Sequence, residues 1–132
     1  MPVRPIGTQG KLARVFHHEL IHFLRKNLVS SDVGETIVVG VLPRNAQILP
    51  QLSGVYVETA FNAGTANTID IGTDASGSSY ASALATGTTG YKAVTSGPRL
   101  AAETTVVATL TGTGTAATAG LATVIIAYVP DL

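Results

Sequence analysis

Val55, Val57, Thr59 and Phe61 alternate with Tyr56, Glu58 and Ala60, the period of two that marks a strand with one face buried. Similar short runs rich in Val, Ile and Thr stand at residues 35–42, 46–49, 68–72, 103–111 and 121–129. β-Branched side chains are stiff at χ1 and pack well on a pleated surface, so these runs, with 54–61, predict strands. Turn clusters separate them, at Ser30-Ser31-Asp32-Val33-Gly34, at Pro43-Arg44-Asn45 and over 62–67. The 62–67 loop stands between two strand runs, which predicts one long hairpin over residues 55–71. Residues 74–79 read as a polar Gly/Ser surface loop, and 81–85 fit a short helix or a short strand. A Thr-Gly-Ala tract at 111–120 joins the last two runs. Short strands at this spacing predict an all-β fold, an antiparallel β-sandwich of jelly-roll type.

The first 33 residues follow a different pattern. Pro2, Pro5, Gly7 and Gly10 predict an irregular start. From Lys11 onward, Leu12, Ala13, Phe16, Leu20, Phe23 and Leu24 share one face of a helix, while Lys11, Arg14, His18, His22 and Arg25 share the other. Drawn as a strand, the same stretch mixes apolar and charged residues on both faces. The local pattern therefore favours a helix, with an extended arm laid on another subunit as the alternative. Two units result: an N-terminal arm, residues 1–33, and a β-sandwich domain, residues 34–132.

Charge sharpens this division. The chain has 132 residues and no net formal charge, with 12% charged and 45% hydrophobic residues, and a mean hydropathy of +0.36. Up to residue 26, Arg4, Lys11, Arg14, Arg25 and Lys26 face Glu19 alone, so a +4 arm precedes a −4 body. A neutral molecule has no bulk attraction for nucleic acid or an acidic membrane, and lacks the repulsion that keeps monomers apart. The expected partners are therefore proteins, with no nucleic acid and no membrane. No cysteine is present, which excludes disulfides, thiolate metal sites and thiol nucleophiles. The stretch after Lys11 is too interrupted by charge for a secretory signal, and the apolar run at 121–129 is far too short to span a bilayer. The reading is a soluble protein made in a cytoplasm.

One motif suggests chemistry. His18-Glu19-Leu20-Ile21-His22 is a literal HExxH string, which in zinc peptidases needs a helix to set both histidines on one face and leave the Glu as base. A third ligand would have to be a carboxylate, because His17 points about 100° away from His18 on a helix. Arg14 and Lys26 would stand one turn from His18 and His22 on that stripe, placing a divalent ion in a positive field. Surface or interface histidines are the better account, and no metal or cofactor is expected. The Gly-Thr-Gly tract at 112–114 opens no helix after a strand, no G-x-S-x-G elbow occurs, and Asp70 and Asp74 lack the spacing of a calcium loop. Tyr56, Tyr80, Tyr91 and Tyr128 read as core or subunit-contact residues.

Residues 38–48 (VVGVLPRNAQI), 55–72 (VYVETAFNAGTANTIDIG), 104–116 (TTVVATLTGTGTA) and 124–131 (VIIAYVPD) together resemble the small decoration, or cement, proteins of tailed-bacteriophage capsids. That resemblance spans most of residues 35–131 and none of 1–33. It implies a jelly-roll sandwich on the outer capsid surface of a virion, bridging neighbouring major capsid protein subunits as a homodimer or homotrimer. The apolar stripe beside the basic segment supplies the expected contacts: Phe16, Leu20, Phe23 and Leu24 as anchors, with Arg14, Arg25 and Lys26 at the rim. On this reading residues 1–28 are dispensable for folding and the chain is not an enzyme. The alternatives are an HExxH metallopeptidase and a head-fibre or tail adhesion module that recognises a host surface.

Overall fold

Strand alternation decides both layers of the fold. The computed structural model describes residues 21–130. Its strands are β1 (His22–Val29), β2 (Thr36–Leu42), β3 (Gln47–Ile48), β4 (Gly54–Thr59), β5 (Ala66–Thr73), β6 (Ala81–Ala85), β7 (Gly90–Ala93), β8 (Thr104–Thr113) and β9 (Leu121–Val129). Two short 3-10 turns, Ser30–Asp32 and Pro50–Leu52, complete the regular structure of the described residues. One sheet runs β1-β9-β4-β7, with the two-residue β3 also on β9; the other runs β2-β8-β5-β6.

Setting β3 aside, the first long strand pairs with the last, the second with the last but one, the third with the sixth and the fourth with the fifth, all antiparallel. This nested pairing is a jelly roll. Val55, Val57, Ala122, Val124, Ile126 and Leu28 face inward from the first sheet, and Ile69, Ile71, Val106, Ala108 and Leu110 from the second. They are fully or almost fully buried, which is where the burial free energy of the fold concentrates.

The strand runs expected at 35–42, 103–111 and 121–129 are β2, β8 and β9, and 81–85 is a strand. Two expectations are corrected. The hairpin over 55–71 does not form: β4 and β5 lie in different sheets, and the loop between them crosses the sandwich. That loop bonds to the β8–β9 connection instead of closing on itself, with Gly64 N donating to Thr115 O at 2.8 Å and Thr118 N donating to Asn62 Oδ1 at 2.8 Å. Gly120 belongs to the same junction: its φ of +154° suits glycine, and a Cβ there would run into the ring of Phe61.

The helical pattern of residues 11–26 is the second correction, for the part that is described. His22–Val29 is extended and pairs rung by rung with Leu121–Tyr128 of β9. Leu24 and Leu28 turn toward the core, and Leu28 is fully buried. Eight rungs on an open sheet edge outweigh a weak local helical preference. The chain then turns the corner to β2 through the 3-10 turn, where Val29 N donates to Asp32 Oδ2 at 2.9 Å. Ser53 fastens the Pro50–Leu52 turn to β9. Its buried hydroxyl lies 2.8 Å from Leu49 O and 3.2 Å from Ala127 O, and accepts from Ala127 N at 2.8 Å.

Candidate interaction surfaces

On the outer face of the β1-β9-β4-β7 sheet, Asn27, Thr123, Tyr56 and Tyr91 stand abreast, one per strand, because Asn27 pairs with Thr123, Thr123 with Tyr56 and Tyr56 with Tyr91. Directly paired residues point to the same face of an antiparallel sheet. Two residues further along, Arg25, Ile125, Gly54 and Ala93 form the next row, and Phe23 pairs with Ala127 beyond it. Val29 and Leu121 flank the first row on its other side. The face is thus mostly apolar and aromatic, with Arg25 the charged group in these rows. Phe23 is 55% exposed, Tyr56 49%, Tyr91 44% and Leu52 50%. Large rings left this open on the outer face of a sheet are what a protein partner buries.

Polar order within the face is local. Thr123 Oγ1 donates to Asn27 Oδ1 at 2.9 Å, and Tyr91 OH donates to Gln51 O at 3.4 Å. The latter bond ties β7 to a shallow apolar groove lined by Leu49, Pro50, Gln51 and Leu52. Partial burial raises the Tyr91 phenol above its usual pKa, so the ring is neutral at physiological pH.

The opposite outer face, on the β2-β8-β5-β6 sheet, is a threonine surface. Thr36, Thr109 and Asp70 form one row, and Thr111 and Thr68 another; the hydroxyls of Thr36 and Thr109 share a 3.1 Å hydrogen bond. Asp70 is engaged within the sheet, its Oδ1 accepting from Ala83 N at 2.6 Å. Part of this face is covered. A Cβ on Gly72 would collide with the carbonyl of Ser76, so the 74–79 loop lies directly against the strand.

Of the contact residues expected from sequence, Arg14, Phe16 and Leu20 lie outside the described residues. The other four do not form one stripe. Phe23 and Arg25 point outward beside the Tyr56–Tyr91 row. Leu24 packs against the core and against Gly40, and Lys26, on the same side of the strand as Leu24, is exposed. His22, the second histidine of the HExxH string, opens strand β1 with its ring 5.7 Å from that of Tyr128. The helix that the zinc motif requires at this position is a strand. Among the described residues no group of three or more His, Cys, Asp or Glu side chains is placed to share a metal ion.

Sequence reasoning missed Val29 and Leu52 as surface residues and left Tyr56 and Tyr91 undecided between core and subunit contact. The alternation of Val55 and Val57 against Tyr56 carried the signal for Tyr56. Nothing carried it for Tyr91, because the four-residue β7 has no periodicity of its own.

No family model matches the chain, and no curated protein matches it. Two solved structures resemble the fold. One chain of the cyanophage Pam1 capsid asymmetric unit aligns with a TM-score of 0.62 at 17% identity, covering 99% of this chain and 91% of that one. A chain of the acidic stable capsid structure of Helicobacter pylori bacteriophage KHP30 aligns with a TM-score of 0.60 at 11% identity, covering 86% of this chain and 91% of that one. At these identities the likeness is one of fold.

Proposed function

We propose that this chain is a non-enzymatic structural protein of a phage virion, which binds the outer surface of the capsid and bridges neighbouring major capsid protein subunits as a symmetric homo-oligomer. The observation that carries the proposal is the open aromatic face around Phe23, Tyr56 and Tyr91, on a jelly roll similar in fold to chains of two phage capsids. These side chains are already about half buried, so covering one is worth on the order of 1 kcal/mol, and the exposed carboxylate of Glu58, two residues from Tyr56 on β4, falls at the border of the contact. Arg25 supplies a rim cation for an acidic shell surface. Each oligomer that grips several shell subunits turns a modest contact per copy into a tight bridge.

The test is addition of purified protein to naked shells, read as bound copies per shell by sedimentation and cryo-microscopy. Stoichiometric occupancy of the outer surface is expected, and Phe23→Ser with Tyr56→Ser should weaken binding at least about tenfold while leaving the melting curve close to the parent's. Absence of shell binding, or binding to host-cell glycans in its place, would overturn the proposal.

A further inference from the structure

Among the described residues the two sheets have four edges, and three of them are blunted. The β1 edge carries Arg25 and Lys26. The β7 edge is four residues long and contains Lys92. In β6, Ala83 is left-handed at φ +55° and its N–H is taken by Asp70, so the strand breaks register. Charges, shortness and kinks are how sheets avoid pairing at their edges.

The fourth edge lacks such charges. β2, Thr36-Ile-Val-Val-Gly-Val-Leu42, has seven residues with no charge and no proline, and its Val38 and Val41 are 55% and 49% exposed. Its blunting is limited to one bulge at Val39, between the Val38 and Gly40 rungs. The residues that flank the strand are of opposite sign: Glu35 just before it, Arg44 two residues after it. Both are exposed, and neither has an ion-pair partner among the described residues.

We infer that β2 is a self-association edge, on which β2 of a second copy pairs antiparallel about a two-fold axis near Val39, joining the two four-stranded sheets into one. The inference deepens the oligomeric part of the function proposed above and rests on it. The charge pattern selects the occupant. With the axis between Val39 and Gly40, at the bulge, residue 38 of one copy faces residue 41 of the other and residue 35 faces residue 44, so each Glu35 meets the partner copy's Arg44 and the contact is made twice. A parallel arrangement would set Glu35 against Glu35. An uncharged strand faces its own copy without like-charge cost. One strand pair interrupted by a bulge is a small interface, which sets the expected dissociation constant in the micromolar range.

The test is sedimentation equilibrium of the full chain over concentrations spanning that range. A reversible dimer is expected. Val38→Lys with Val41→Lys should weaken it at least about tenfold, both sites being exposed. Glu35→Arg alone should weaken it, and Glu35→Arg combined with Arg44→Glu should restore it, because the swap rebuilds the pair across the axis. A wild-type monomer, a dimer indifferent to the lysines, or a double swap no better than the single would each overturn the inference. So would dimerisation only after removal of residues 1–20, which would give the edge to the chain's own N-terminal segment. Shell addition is scored separately: a monomer that still decorates shells sinks this inference alone, and a dimer that ignores them sinks the function alone.

Discussion

Ser53 and Thr86 are both buried hydroxyls and stand at opposite ends of the polar ledger. Ser53 Oγ accepts from Ala127 N and donates its one proton to Leu49 O, with Ala127 O the more distant acceptor, whereas Thr86 Oγ1 has no hydrogen-bond partner. Ser53→Ala leaves the buried Ala127 N–H without its partner, while Ala127 O and Leu49 O keep backbone donors, and should cost about 1–3 kcal/mol of unfolding free energy; Thr86→Val removes an unpaired group and should be neutral or stabilising. Urea titration of both variants checks the contrast. Tyr80 supplies a pH dependence. Its burial raises the phenol above the usual value of 10.0, so the folded state holds the proton more tightly than the unfolded chain. That contribution is complete below pH 10 and is lost as pH rises through the folded pKa. Unfolding free energy measured from pH 9 to 11 should fall, and Tyr80→Phe should flatten the decline. None of these roles was legible in the sequence, since the partners of Ser53 on β9 are 74 residues away.

Strands with two-sided support were readable and edges were not. β9 matches its expected bounds end for end, because this central strand, flanked by β1 and β4, is apolar at every position but Thr123 and the Tyr128 hydroxyl. β1 misled for the converse reason: as an edge it buries only Leu28 fully and Leu24 in part, and the residues between these two are free to mimic a helix. This changes where the chain can be cut. Removal of residues 1–28 would delete β1 and a core leucine, exposing the ladder of β9, and should unfold the sandwich. A chain beginning at Ile21 keeps every described strand and should retain a cooperative melt by circular dichroism. The helical drawing set Phe23 beside Leu24 and Arg25 on the opposite side, whereas the strand puts Phe23 and Arg25 on one outward face; that grouping, like the Tyr56–Tyr91 row, needed the register.

Over the described residues the chain is a nested wrap in which the principal pairings span distant sequence, outermost β1 with β9, and only the innermost, β5 with β6, is a local hairpin. Such a topology folds slowly, because long loops must close before the rungs repay them. The jelly-roll class was nevertheless recoverable, since strand spacing and turn chemistry limit the arrangements available to a chain of this size. What spacing could not supply was the sheet assignment, so the 55–71 crossing read as a hairpin. The side-by-side exit of His22 and Tyr128 also carries a mechanical consequence. Tension applied between those two points would peel the β1–β9 seam open one rung at a time, the geometry in which a sheet resists least. Load taken broadside through the faces of this wrap would be spread over many rungs at once, unlike a pull along its thread.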